Sequence, residues 1–178
     1  MSIPKITLFV DIVSPFAYIA FYALHNFPAF KQCDITYVPV FLGDKDKWIN
    51  TERIRWSNYL NVPVSQSSPP GFPTNTISIQ RVLTAISLSH PASLPSALSL
   101  FWQNYWVHWN DPSTPENLLA IVSTIVGGEE EARRVIEASK GKEVKEKLTE
   151  NTEWAVREEA FGLPWFLGEC DCCCVVRQ

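Results

Sequence analysis

Near the N-terminus an apolar run, Lys5 to Val10, leads through Asp11-Ile12-Val13 into Ser14-Pro15, after which apolar residues recur at helical spacing. No other feature restricts the fold as much. A short β-branched and aromatic run reads as a buried strand. A serine followed by proline starts a helix, with Ser14 as N-cap and Pro15 preset for the first turn. The helix expected over Pro15 to His25 carries Phe16, Tyr18, Ile19, Phe21, Tyr22 and Leu24, so it must be covered on most sides. It stops before Pro28. Ile35 to Leu42 reads as a second strand, and Pro39, which cannot donate to a ladder, assigns that strand to a sheet edge. Strand, helix and strand within about forty residues make a βαβ unit with parallel strands and a right-handed crossover. Ser14 is then at the positive end of a buried helix, a position that stabilises anions, including a thiolate.

After Gly43 the periodicity changes. Trp48 to Leu60 is expected to be a helix ending at Pro63, and Ser65 to Thr74 an irregular loop. Ile79, Val82, Leu83 and Ile86 repeat at helical spacing, as do Leu98, Phe101, Trp102, Tyr105, Trp106 and Trp109. Thr114-Pro115 opens a further helix, closed by Gly127-Gly128. Glu129 to Ser139 and Lys142 to Ala160 complete the helical series, with Glu129/Arg133 and Glu130/Arg134 as i,i+4 pairs. A strand-like segment, Leu163 to Leu167, comes last. The simplest architecture is an α/β domain carrying a helical insertion. At 178 residues the chain can build one sizeable core, with or without an insertion.

A net charge of -4 argues against a nucleic-acid surface and gives no polybasic membrane patch. The N-terminus lacks a signal-peptide layout, no apolar run approaches the ~20 residues that span a bilayer, and the C-terminus is neither a peroxisomal address nor a prenylation box. An intracellular, reducing compartment with free thiols is the expectation.

Two positions carry chemistry. Ser14 is an N-cap, and its hydroxyl can also hold a thiolate. One hydrogen bond to a charged group contributes about 1.5–3 kcal/mol, enough to lower a thiol pKa by about one to two units. Gly162-Leu163-Pro164 reads as a turn. A cis proline there, facing the first helix, would aim the Leu163 backbone at an extended peptide ligand. The tryptophan stripe reads as helical core, some of it bordering an apolar pocket. His25, His90 and His108 are scattered, with no nucleophile to serve.

Asp11-Ile12-Val13-Ser14-Pro15-Phe16-Ala17-Tyr18, Gly71-Phe72-Pro73 and Ala160-Phe161-Gly162-Leu163-Pro164 together resemble the kappa-class glutathione transferases. These are relatives of the 2-hydroxychromene-2-carboxylate isomerases on the DsbA-like thioredoxin fold, and the resemblance covers about residues 3 to 166. It implies an α/β fold in which a thioredoxin-like βαβ domain (residues 1–43 and 161–178) is interrupted by an all-helical domain (residues 44–160). It implies glutathione as co-substrate, Ser14 holding its sulfur, and Leu163 and Pro164 pairing with its backbone. Lys45 matches a lysine that meets the glycine carboxylate, or is a solvated surface lysine. The expected partners are glutathione and a small apolar electrophile, with a homodimer open, and no metal, nucleic acid or membrane. Three activities follow: transfer of glutathione to the electrophile, glutathione-dependent isomerisation of an unsaturated acid, or non-catalytic glutathione binding by a remnant. Members of the family occupy mitochondria, peroxisomes and cytosol.

The chain departs from the family pattern twice. The loop expected between Gly43 and Asp44 is short. After Trp165-Phe166 the family continues through a strand, a hairpin partner and a final helix, whereas this chain reads Leu167-Gly168-Glu169-Cys170-Asp171-Cys172-Cys173-Cys174-Val175-Val176-Arg177-Gln178. The C-terminal ββα part is therefore expected to be truncated, leaving two strands and part of a third, an uncovered apolar face and poor solubility as a monomer. Cys170, Cys172, Cys173 and Cys174 are too crowded for a zinc site and read as a frayed tail. The spacing Cys170-Asp171-Cys172-Cys173 has no helix N-terminus to activate it. At the usual thioredoxin position stands Val13-Ser14-Pro15-Phe16, without cysteine, which excludes dithiol oxidoreductase chemistry there.

Overall fold

The computed structural model describes residues 3–41, 48–160, 162–170 and 173–177. In chain order the elements are β1 (Lys5–Val10), α1 (Pro15–Asn26), β2 (Asp34–Pro39), α2 (Trp48–Leu60), α3 (Ile77–Ser89), α4 (Leu94–Trp102), α5 (Pro115–Val126), α6 (Glu129–Ala138), α7 (Lys142–Arg157), β3 (Trp165–Cys170) and β4 (Cys173–Arg177). A π-helical turn, Gln103–Val107, continues α4. None of the described helices is long and apolar enough to cross a membrane.

The strands form one sheet in the order β2-β1-β3-β4. β1 and β2 are parallel, joined through α1, and β2 takes the edge that Pro39 requires. β3 runs antiparallel to β1, and β4 antiparallel to β3. The expectation of an incomplete sheet is thus corrected: the cysteine-bearing tail forms a fourth strand. Its sequence hides this, because a backbone ladder is satisfied without any particular side-chain alternation. Among the described residues no helix follows β4.

Alternation along β1 divides the core in two. Leu8 and Val10 face a large cluster with Tyr18 and Phe21 of α1, Leu83 and Ile86 of α3, Trp102 of α4 and Trp106. Phe9 faces the opposite side, with Val38, Val40, Ala155, Trp165 and Leu167. There Trp154 of α7 meets Phe9 edge to face at 4.9 Å. The crowded apolar surface of α1 is covered as its sequence demands: Trp102 stacks on Tyr18 at 5.5 Å and tilts against Phe21 at 5.1 Å. Each such pair adds about 0.5–1.5 kcal/mol beyond its buried area.

Helix ends follow local chemistry. Thr114 caps α5 by accepting from the Asn117 N–H at 3.4 Å, and Gly127, at φ 81°, closes it in a left-handed conformation that disfavours a Cβ. Among the strands, β2 ends at Pro39 instead of continuing toward Leu42, and β3 runs Trp165–Cys170 instead of Leu163 to Leu167. Two helical expectations also differ. α7 ends at Arg157, before Glu159 at φ 66°. The tryptophan stripe stops at Trp106, because the π-helical turn breaks the 3.6-residue repeat and Trp109, at φ 55°, is 43% exposed. On the α1 side of the sheet an apolar groove of about 280 Å³ remains between Ala20, Ala23 and Leu24 of α1, Phe30, Ile6 of β1 and Phe166 of β3.

Candidate functional site

The site grows from the strand-to-helix junction. Ser14 has extended backbone angles (φ −84°, ψ 112°), and its Oγ accepts from the Ala17 N–H at 3.2 Å, the geometry of an N-cap. The same hydroxyl donates to the Leu163 carbonyl at 3.2 Å, joining residues 149 apart in the chain. The Leu163–Pro164 peptide bond is cis, as is Phe72–Pro73. Ser14, Leu163 and Pro164, the three residues read from opposite ends of the sequence, therefore meet at one half-buried spot at the positive end of α1. Lys45 and the short Gly43–Asp44 connection lie outside the described residues.

Two tethers behind the junction escape sequence reading. Asp11 is fully buried. Its Oδ1 accepts from the Val13 N–H at 3.1 Å, the Thr76 hydroxyl at 2.9 Å and the Gln80 amide at 2.8 Å. The carboxylate orients that amide, since a flipped Gln80 would set oxygen against oxygen. Gln80 Oε1 is left without a hydrogen-bond partner among the described residues. A polar residue at the end of an apolar strand was the available signal for Asp11. It gave no partner, because Thr76 and Gln80 are on or beside α3.

The second tether starts at Trp106, whose indole N–H donates to the Ile12 carbonyl at 3.1 Å. Arg53 of α2 places its guanidinium 5.1 Å from the Trp106 ring centroid and donates to the Ser65 carbonyl at 2.6 Å and the Gln66 carbonyl at 3.1 Å. It is 1% exposed, and burial lowers its pKa from the ordinary arginine value. Phe72 packs against Trp106 in a tilted arrangement at 5.5 Å, and Tyr105 meets it edge to face at 5.3 Å. Burial also pushes the Tyr105 phenol up, and its oxygen accepts from the Thr74 N–H at 3.3 Å. The loop between α2 and α3 is thereby fixed against the aromatic wall that holds Ile12. Arg53 gave no signal in sequence, since an arginine between Glu52 and Arg55 on a polar helix reads as solvated.

Chemically, this arrangement offers one hydroxyl, a helix N-terminus and backbone groups beside a cis proline. No cysteine stands at Val13-Ser14-Pro15-Phe16. Among the described residues no group of three or more His, Cys, Asp or Glu side chains could hold a metal ion.

Comparison with known proteins gives the same architecture. The human "Glutathione S-transferase kappa 1" is 26% identical over 179 residues, covering 89% of this chain and 78% of the relative. The solved structure of a 2-hydroxychromene-2-carboxylate isomerase is similar with a TM-score of 0.71 at 18% identity, over 91% of this chain and 84% of that one. The cytosolic disulfide reductase DsbM from Pseudomonas aeruginosa, solved with GSH, is similar with a TM-score of 0.71 at 12% identity, over 97% and 89%. The family model of the DsbA-like thioredoxin domain matches residues 5–169, from β1 through the sheet strand that follows the cis proline, and the chain belongs to that family.

Proposed function

We propose that the chain is a kappa-type glutathione transferase: an enzyme that binds glutathione across the Ser14 and Leu163–Pro164 junction and adds its thiolate to a small apolar electrophile. The observation that carries this reading is the Ser14 hydroxyl at the α1 N-terminus, hydrogen-bonded to the carbonyl beside the cis proline, in a chain without a cysteine at that junction. The likeness to proteins named glutathione S-transferase kappa 1 supports it.

The hydroxyl has one proton, so a bound thiolate competes with the Leu163 carbonyl for it. Donation to sulfur contributes about 1.5–3 kcal/mol, and the helix terminus adds about 0.3–1 kcal/mol. Together these lower the thiol pKa by about one to three units, of which the Ser14 hydroxyl supplies about one to two. The thiolate then attacks the electrophilic carbon, forming the C–S bond while the leaving group departs with the bonding pair. Leu163 and Pro164 hold the peptide backbone of glutathione, and Lys45 its glycine carboxylate. The proposed layout has residues 44–160 as a helical insertion in a thioredoxin-like unit formed by residues 1–43 and 161–178.

The test is Ser14→Ala, read by the ultraviolet absorbance of the bound thiolate against pH and by turnover of a chloro-nitro aromatic. Glutathione should still bind, with its thiol pKa raised by about one to two units and turnover at neutral pH reduced by about ten- to a hundredfold. Unchanged turnover, or no glutathione binding by the wild-type chain, refutes the reading. The similarity to the isomerase structure favours one second reading, glutathione-dependent isomerisation of a chromene acid on the same site. Turnover of that acid, with the chloro-aromatic untouched, would select it. Binding without turnover of either substrate would select a non-catalytic glutathione binder.

A further inference from the structure

We infer that Asp11 is a positioning residue for the Ser14 hydroxyl, and that Thr76 and Gln80 act on the bound thiolate through it. The part concerning the thiolate rests on the glutathione reading above. Asp11 holds the chain leading to Ser14 twice. Its carboxylate accepts from the Val13 N–H at 3.1 Å, and its carbonyl accepts from the Ser14 N–H at 3.0 Å. An aspartate bonded to the N–H two residues on closes an Asx turn. This turn delivers Ser14 with the extended backbone that an N-cap needs.

The carboxylate is itself held in place. Asp11 is fully buried, and its Oδ1 is gripped from the α3 side by the Thr76 hydroxyl at 2.9 Å and the Gln80 amide at 2.8 Å. Hydrogen bonds to a charged acceptor are roughly twice as strong as neutral ones. Ile12 is held separately, by the Trp106 indole on its carbonyl. Each step from Asp11 to Val13 is therefore tied down by a side chain. The Ser14 Oγ ends up 3.2 Å from both the Ala17 N–H and the Leu163 carbonyl.

Two effects of the carboxylate oppose each other, and their signs separate them. Its negative charge, three residues before Ser14, raises the pKa of a thiol bound there. Its hydrogen bonds aim the hydroxyl that lowers that pKa. Loss of the charge alone makes the thiol more acidic, whereas loss of the positioning makes it less acidic.

The test uses the full chain and two readouts. Without ligand, hydrogen exchange of the Ala17 amide, bonded to the Ser14 Oγ, is compared with that of the Phe21 amide inside α1. Asp11→Ala should speed exchange at Ala17 by about fivefold more than at Phe21, the effect of a displaced cap; lost global stability alone speeds both equally. Thr76→Val, which removes one donor and keeps the shape, should do the same by about two- to threefold and carries the test where the alanine variant is too unstable. With glutathione bound, ultraviolet titration of the thiolate should give a pKa raised by about one unit in Asp11→Ala, with no rise when that change is made in Ser14→Ala. Asp11→Asn, which keeps an oxygen for the same donors, should leave the pKa at or below the wild-type value. Equal acceleration at Ala17 and Phe21, a lowered thiol pKa in Asp11→Ala, or the same rise without the Ser14 hydroxyl overturns the inference. If the wild-type chain binds no glutathione, the transferase reading falls, and the exchange data alone decide whether Asp11 positions Ser14.

Discussion

Removing the Asp11 carboxylate should cost the fold about 4 kcal/mol. In Asp11→Ala the Thr76 hydroxyl and the Gln80 amide, both on fully buried residues, lose the oxygen they donate to at 2.9 and 2.8 Å, and the Val13 N–H loses its acceptor at 3.1 Å. An unsatisfied buried donor costs about 1–3 kcal/mol, and breaking a buried charged network typically costs about 3–5 kcal/mol. Two fully buried donors and one partly buried donor place the expected loss near 4 kcal/mol, a large part of the ~5–15 kcal/mol that holds a domain folded. Asp11→Asn keeps a carbonyl oxygen for the same donors and should cost about 1–2 kcal/mol. Urea unfolding measures both, as a lowered midpoint with an unchanged m-value. A double-mutant cycle with Gln80→Leu isolates the pair, and a coupling of about 1–3 kcal/mol is expected. A cost below about 1 kcal/mol for Asp11→Ala, or additivity with Gln80→Leu within about 0.5 kcal/mol, would refute the hub.

Arg53→Met should destabilise by about 2–4 kcal/mol, from the lost hydrogen bonds to Ser65 and Gln66 and the lost stacking on Trp106. Limited proteolysis should then cut the loop between α2 and α3 well before α5; unchanged cleavage of that loop would contradict the tether. Alkaline pH should destabilise the chain in part through Tyr18, whose phenol burial raises from 10.0 to about 12. The folded state holds this proton more tightly, so stability is intact below pH 10 and falls by up to roughly 3 kcal/mol as the pH rises to 12. Thermal melts of Tyr18→Phe should lose this component of the alkaline transition, and an unaltered profile would exclude Tyr18 as its source.

What the sequence determines by itself is local. β1, the Ser14–Pro15 helix start, the span of α2, the Thr114 cap and the Gly127 stop follow from hydrophobic periodicity and from backbone preferences of serine, threonine, proline and glycine, which act within a few residues. The edge position of β2 is equally local, since Pro39 lacks a donor wherever it is placed. Tertiary structure decides which distant groups meet. It brings the Ser14 hydroxyl to the Leu163 carbonyl, Asp11 to Thr76 and Gln80, and Arg53 to Trp106. It also turns a cysteine-rich tail into β4. Periodicity describes one element at a time, whereas hydrogen-bond partners and strand register depend on how separate elements pack against each other.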